Sequence, residues 1–287
     1  MKQSGRKTIK DILNKKRKQQ KITVLTAYDY PLALMIDKAG IDIILVGDSL
    51  ANVVLGLEST REVGMKEMIH HAKAVNRAVK KALLIGDMPF GSYRTKQLAV
   101  KNAKRFIKEA GCDAVKLEWF DHCPEVAASI IKSGIPVMGH IGLTPQTVKT
   151  KSDLKVQGTK AEGAQKLIAS AKALEEKGCF SIVLECIPDK IATIITKRLK
   201  IPTIGIGAGI DCDGQVLVFH DLLGFFSPLN PRFVKRYADL GARAKKAVRQ
   251  YSSEVKSGRF PSRRHSFSMR LSDRQVFEKK SKGLFAR

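Results

Sequence analysis

A closed (β/α)8 barrel, the TIM barrel, is the fold class the sequence predicts, and three observations predict it. Short apolar runs recur along the chain, each continuous rather than alternating, which is how parallel strands buried on both faces read. Longer charged segments of helical period separate these runs. Ionisable residues gather where the runs end and are scarce inside them, as expected of a fold that collects its chemistry at the C-terminal ends of its strands. The length of 287 residues suits one such barrel, which typically needs about 250. A hydrophobic share of 44% with only 6% aromatics predicts a sizeable, mainly aliphatic core.

The basic N-terminal segment places Ile9, Ile12 and Leu13 at helical spacing and predicts a short amphipathic helix. It lacks the apolar stretch of a secretory leader. Strands are expected at 22–26, 41–46, 82–85, 114–117, 135–138, 181–184, 202–206 and 215–219. Helices are expected at 31–39, 65–80, 98–110, 124–132, 161–177 and 189–198. In the second of these, Met65, Met68, Ile69, Ala72 and Val75 share one face. Gly40, Gly111, Gly134 and Gly178 each follow a helical stretch, where a left-handed residue ends a helix. A last long helix is expected at 233–255. The barrel domain with its N-terminal helix is therefore assigned to 1–260. Residues 261–287 read as a basic tail whose weak apolar pattern makes it a candidate for disorder.

Lys and Arg number 52 against 27 Asp and Glu, a net charge of +25. Such a surplus raises the question of nucleic-acid binding. The basic residues concentrate at the two ends and along helix surfaces, with no zinc-finger spacing, no RRM signature and no basic strip interleaved with aromatics. A solvated basic surface is the expectation, and a nucleic-acid partner is not. The five cysteines are dispersed and show no CxxC spacing, which argues for free thiols in a reducing compartment. No apolar run approaches the roughly 20 residues of a membrane span. A cytoplasmic protein without membrane contact is expected.

The strand ends carry the chemistry. The second expected strand leads into Gly47-Asp48-Ser49, the third into Gly86-Asp87, and the fourth holds Lys116 and ends at Glu118. The fifth leads into Gly139-His140 and the sixth into Glu185. Asp48, Asp87 and Glu118 form a set of hard oxygen donors whose convergence calls for a cation such as Mg2+, with helix capping as the other reading of Asp48-Ser49. A 2-oxo acid can complete the ion's coordination, and the ion can then stabilise an enolate as a Lewis acid. Lys116 and Glu118 lie two apart on one strand and point the same way. The lysine can neutralise the substrate carboxylate or the developing enolate. Glu185 ends an apolar strand, an environment suited to a general base. For His140 a wall residue that hydrogen-bonds substrate is preferred over a metal ligand or an acid–base group.

With these residues placed, the blocks TAYDYPLA, LVGDSLANVVLG, GDMPFGSY, AVKLE, VMGHIGLTPQ, KVQG, LECIP, IPTIGIGAG and DGQVLVFHD resemble the ketopantoate hydroxymethyltransferase family, in order and spacing, from about residue 22 to 267. The resemblance implies a barrel of the phosphoenolpyruvate/pyruvate type. It implies a reaction of pantothenate synthesis, in which 5,10-methylenetetrahydrofolate as co-substrate donates a one-carbon unit to 3-methyl-2-oxobutanoate. It further implies one Mg2+ per subunit on Asp48, Asp87 and Glu118. Keto-acid contacts are implied for Asp48, Ser49, Asp87 and Lys116, and proton abstraction for Glu185. A homo-oligomer, a decamer, is implied as well. Three loops depart from the family pattern: 58–64, 119–122 and 152–153. Two other readings predict different behaviour: an aldolase or lyase on another 2-oxo acid, which needs no folate, and a basic nucleic-acid-binding protein, whose binding would depend steeply on salt.

Overall fold

The computed structural model describes residues 5–148, 154–225 and 231–281. The departure from family pattern noted at 152–153 lies outside these residues. Two compact units divide the chain, Met1–Ala238 and Asp239–Arg287. The first contains a closed barrel of eight parallel strands: β1 Ile22–Thr26, β2 Ile43–Val46, β3 Leu83–Asp87, β4 Ala114–Glu118, β5 Val137–Gly142, β6 Ser181–Glu185, β7 Thr203–Ile206 and β8 Gly214–Leu217. Strand order follows chain order, and β8 closes on β1 with Val24 opposite Val216. Each strand falls on one of the runs expected from the sequence.

The helices are α1 Ile9–Arg17, α2 Tyr30–Lys38, α3 Leu50–Val53, α4 Met65–Ala78, α5 Lys96–Lys108, α6 Cys123–Lys132, α7 Ala161–Glu176, α8 Asp189–Arg198 and α9 Phe219–Leu222. Local chemistry sets their starts. Thr8 and Asp11 form a reciprocal capping box on α1, the Asp29 carboxylate accepts the Leu32 N–H with Pro31 in the first turn of α2, and the Thr95 hydroxyl accepts the Leu98 N–H on α5. The buried faces of these helices join outward-pointing strand residues such as Ile44, Val46, Val115 and Leu117 in one large apolar layer.

Strand parity divides the core in two. A second cluster contains Ile22, Val24, Ile43, Leu45, Leu83, Ile85, Ala114, Met138, Val183, Ile204 and Val216, the positions that alternate with the outward set. These side chains fill the barrel interior. Ile12 of α1 is fully buried in that cluster against the strand starts. α1 is pinned there by Lys15 to Asp42 at 2.7 Å and by Lys16 to Asp213 at 2.7 Å. It therefore plugs the N-terminal end of the barrel and leaves the other end for chemistry.

The second unit begins with α10, Leu240–Lys256, whose first turn is capped by the Asp239 carboxylate accepting the Ala242 N–H. This corrects the expected helix at 233–255, because residues 233–239 are not helical. The pattern of charged and apolar residues there continues upstream of a real capping residue, and Pro231 lies just before it. The segment expected as an unpatterned tail contains a further helix, α11 Leu271–Ser281, which carries an Arg274–Glu278 ion pair one turn apart. Neither α10 nor α11 has a buried residue. Among the described residues, no helix is long and apolar enough to cross a membrane.

Candidate active site at the C-terminal mouth of the barrel

The inward parity of the interior cluster continues past its apolar layers into charged residues. On β3 the inward series Leu83, Ile85 ends in Asp87. On β4 Ala114 is followed by Lys116 and Glu118, on β5 Met138 by His140, and on β6 Val183 by Glu185. Four adjacent strands thus aim five ionisable side chains into one mouth. Register places Asp87 opposite Lys116, and Glu118 opposite His140. Asp48 and Ser49 come from the turn after β2 and open α3. Ser49 makes no cap to that helix; its hydroxyl lies 2.7 Å from the Tyr28 hydroxyl instead. All the residues expected at the site stand here.

Their contacts form one network. Lys116 Nζ donates to both oxygens of Asp87, at 2.8 and 2.9 Å. The Asp48 backbone N–H donates to Asp87 Oδ2 at 3.3 Å. His140 lies between two carboxylates, with Nδ1 3.3 Å from Glu118 Oε1 and Nε2 3.1 Å from Glu185 Oε2. These are ion-pair distances, and the ring is not aligned for a good hydrogen bond to either oxygen. Asp87 is fully buried, and Asp48, Lys116, Glu118 and His140 are nearly so.

Burial of so many charges sets their protonation. Burial itself, reinforced by the charges of Asp87 and Glu118, pushes the Asp48 carboxyl well above the usual carboxylate range, while Lys116 and Gln146 act against it. Asp87 is raised by burial, only partly offset by Lys116. Burial works against the charged form of Lys116, but Asp87, Glu118 and Asp48 outweigh it and hold the ammonium protonated. Glu118 is opposed by burial but held low by His140, Lys116 and the Gln146 N–H. For His140, burial and Lys116 disfavour the imidazolium; Glu118 and Glu185 prevail and raise it to about 9.

Whether a divalent cation suits this set turns on charge. Four acids, Asp48, Asp87, Glu118 and Glu185, face two cationic side chains, Lys116 and His140. Among the described residues no three His, Cys, Asp or Glu side chains already stand at metal-binding spacing. Each acid is engaged within the chain instead: Asp87 by Lys116, Glu118 by His140, and Asp48 by Gln146. Hard oxygen donors in negative surplus fit Mg2+, with side-chain adjustment on binding.

Three residues of the site went unassigned in the sequence. Tyr28 is buried against Ser49, Gln146 hydrogen-bonds Asp48, and Tyr93 donates its hydroxyl proton to Gln146 Oε1. All three are neutral and lie outside the strands and α-helices, Gln146 in a single 3-10 turn, Pro145–Thr147, so neither charge nor periodicity marks them. Their only signal is membership in the blocks TAYDYPLA, GDMPFGSY and HIGLTPQ. Beside Glu118, Phe90, Tyr93, Trp119, Phe120 and Gln146 line a cavity of about 120 Å³. Arg61 lies 4.4 Å and Arg94 5.3 Å from the ring centre of Phe90. Residues of the 58–64 and 119–122 loops thus both stand at this wall.

The sequence profile of the ketopantoate hydroxymethyltransferase family matches residues 6–263. The chain is 52% identical to the 3-methyl-2-oxobutanoate hydroxymethyltransferase of Carboxydothermus hydrogenoformans, over 92% of this chain and 96% of that protein. It is 54% identical to the protein of the same name from Clostridium botulinum, over 92% and 96%. Among solved structures its fold is similar to phosphonopyruvate hydrolase, with a TM-score of 0.60 and 13% identity over 98% of both chains. It is also similar to 2,3-dimethylmalate lyase, with a TM-score of 0.60 and 14% identity over 94% of this chain and 89% of that one.

Proposed function

The chain belongs to the ketopantoate hydroxymethyltransferase family, and from that premise we propose how the barrel mouth carries the reaction. 3-Methyl-2-oxobutanoate, 5,10-methylenetetrahydrofolate and one water give 2-dehydropantoate and tetrahydrofolate, the water supplying the new hydroxyl. The observation that carries the reading is the convergence of Asp87, Lys116, Glu118, His140 and Glu185 on inward positions of four adjacent strands, with Asp48 beside them.

Asp48, Asp87 and Glu118 would hold one Mg2+ per subunit. Bound there, the ion supplies Lewis-acid polarisation of the keto group and so makes the adjacent C3–H acidic. Lys116, kept protonated by the acids around it, offsets the substrate carboxylate and the negative charge that develops on deprotonation. Ser49, braced by Tyr28, presents its hydroxyl to the keto acid. A Glu185 oxygen takes the C3 proton. His140, with Nε2 3.1 Å from Glu185 Oε2, forms the wall behind the substrate. C3 then bonds to the donor's one-carbon unit; both bonds from that carbon to folate nitrogens are broken, water supplies the hydroxyl oxygen, and tetrahydrofolate leaves with the nitrogens protonated.

The test is turnover of the two substrates by the full chain with Mg2+ and with chelator. Product that forms with Mg2+ and is lost with chelator is expected. A folded, Mg2+-supplied protein that yields none would overturn the reading.

The subunits assemble as a homo-oligomer, a decamer. The exposure of Val248, Tyr251 and Val255 on α10, which has no buried residue, supports an assembly that covers them. Light scattering should return about ten times the 31.7 kDa chain mass; a monomeric mass would refute it. The five free cysteines support a reducing, cytoplasmic setting.

A further inference from the structure

We infer that Gln146 is a positioning residue that holds Asp48 and Glu118, the outer two carboxylates of the cation set, in place for the ion. The inference rests on the reading of Asp48, Asp87 and Glu118 as the ion's ligands.

Gln146 lies in the 3-10 turn Pro145–Thr147 after β5 and is 1% exposed. Its Nε2 donates to Asp48 Oδ2 at 2.8 Å and to the Met88 carbonyl at 3.0 Å. Its backbone N–H donates to Glu118 Oε2 at 3.0 Å. Its Oε1 accepts from the Tyr93 hydroxyl, and that hydroxyl accepts the Glu118 backbone N–H at 3.4 Å. Asp48 follows β2, Met88 follows β3 and Glu118 ends β4, so one residue ties together three strand ends that supply all the proposed ligands.

The amide is suited to this place by having two different ends. Asp48 Oδ2 and the Met88 carbonyl accept from the amide on one side, and the Tyr93 proton is accepted on the other. A carboxylate at 146 would set acceptor against acceptor beside an already crowded set of acids. An apolar side chain would leave Asp48 Oδ2 and the Met88 carbonyl buried without this partner. Tyr93 fixes which way round the amide lies. Carboxylates aimed in advance bind an ion more tightly than free ones, because less side-chain freedom is lost on binding.

The experiment is equilibrium dialysis of the full-length protein against Mg2+, for wild type, Q146M, Y93F and the double variant, alongside thermal unfolding in chelator. Methionine keeps the length of glutamine and removes both ends of the amide. The dissociation constant is expected to rise about 10- to 100-fold in Q146M. A smaller rise is expected in Y93F, and in the double variant a rise smaller than the product of the two single effects, since Tyr93 shares the amide as a partner. A residue with a merely structural role would lower the unfolding midpoint and leave the folded protein's Mg2+ affinity unchanged. Equal affinity in Q146M and wild type overturns the inference and leaves the cation reading standing. Absence of Mg2+ binding by wild type overturns both. Should Q146M fail to fold, Y93F decides alone, and wild-type affinity in Y93F overturns the inference.

Discussion

Gly142 shows how closely the residues around the proposed base are fitted. Its φ is 100°, and a Cβ added there would lie 2.1 Å from the Glu185 carbonyl oxygen. The next residue donates its N–H to that same oxygen at 2.8 Å. Gly142→Ala would therefore incur left-handed strain and a backbone clash at once, and should destabilise by about 2 kcal/mol or more. Denaturant unfolding would measure that loss; an unchanged midpoint would show that the strand end relaxes freely. The same scale explains what could be read from sequence. Asp87, Lys116, Glu118, His140 and Glu185 stand out because a charge at an inward position of an otherwise apolar strand has few reasons to be there. Tyr28, Tyr93 and Gln146 do not stand out, because their roles depend on partners distant in the chain, such as Asp48 for Gln146.

Among the elements, α1 makes the clearest stability prediction. Ile12 is fully buried with the strand starts, so Ile12→Ala should cost about 2–5 kcal/mol. Calorimetric unfolding would measure it, and a loss below 1 kcal/mol (roughly one methylene of burial) would show that α1 does not plug the barrel. The same junction predicts a pH dependence. Burial works against charge on Asp42, but the bonds from Lys15 and Thr23 prevail and hold its carboxyl below the usual value. A depressed carboxyl stabilises the fold above its unfolded value near 3.8 and loses that contribution as pH falls through its lower folded value. Asp42→Asn should lower stability at pH 7 by about 1–3 kcal/mol, and the difference from wild type should shrink under acid. Equal differences at both pH values would contradict it. Elements were legible wherever a period met a cap. The late start of α10 was not, since the helical pattern runs on upstream of Asp239.

For the whole molecule, the eight strands could be counted from the sequence, but their closure could not. Closure lies in the pairing of β1 with β8, Ile22 opposite Gly214 and Leu25 opposite Leu217, between segments at opposite ends of the barrel sequence. No local pattern encodes that pairing. It follows from strand twist and from an interior filled by aliphatic side chains. The plugged end at α1 and the charged mouth opposite then give the barrel its polarity. The net charge of +25 draws on residues away from that mouth, which itself carries more carboxylates than cations. Overall charge is thus a poor guide to the site, and inward parity a good one.

The most direct measurement of the central claim is exchange of the C3 proton of 3-methyl-2-oxobutanoate in D2O, followed by NMR without the one-carbon donor, for wild type and Glu185→Gln, with Mg2+ and with chelator. The site as described predicts exchange by wild type that requires Mg2+. In Glu185→Gln it predicts a fall of about 10²- to 10⁴-fold with keto-acid binding retained. Exchange at the wild-type rate in Glu185→Gln would contradict the assignment of Glu185 as the base.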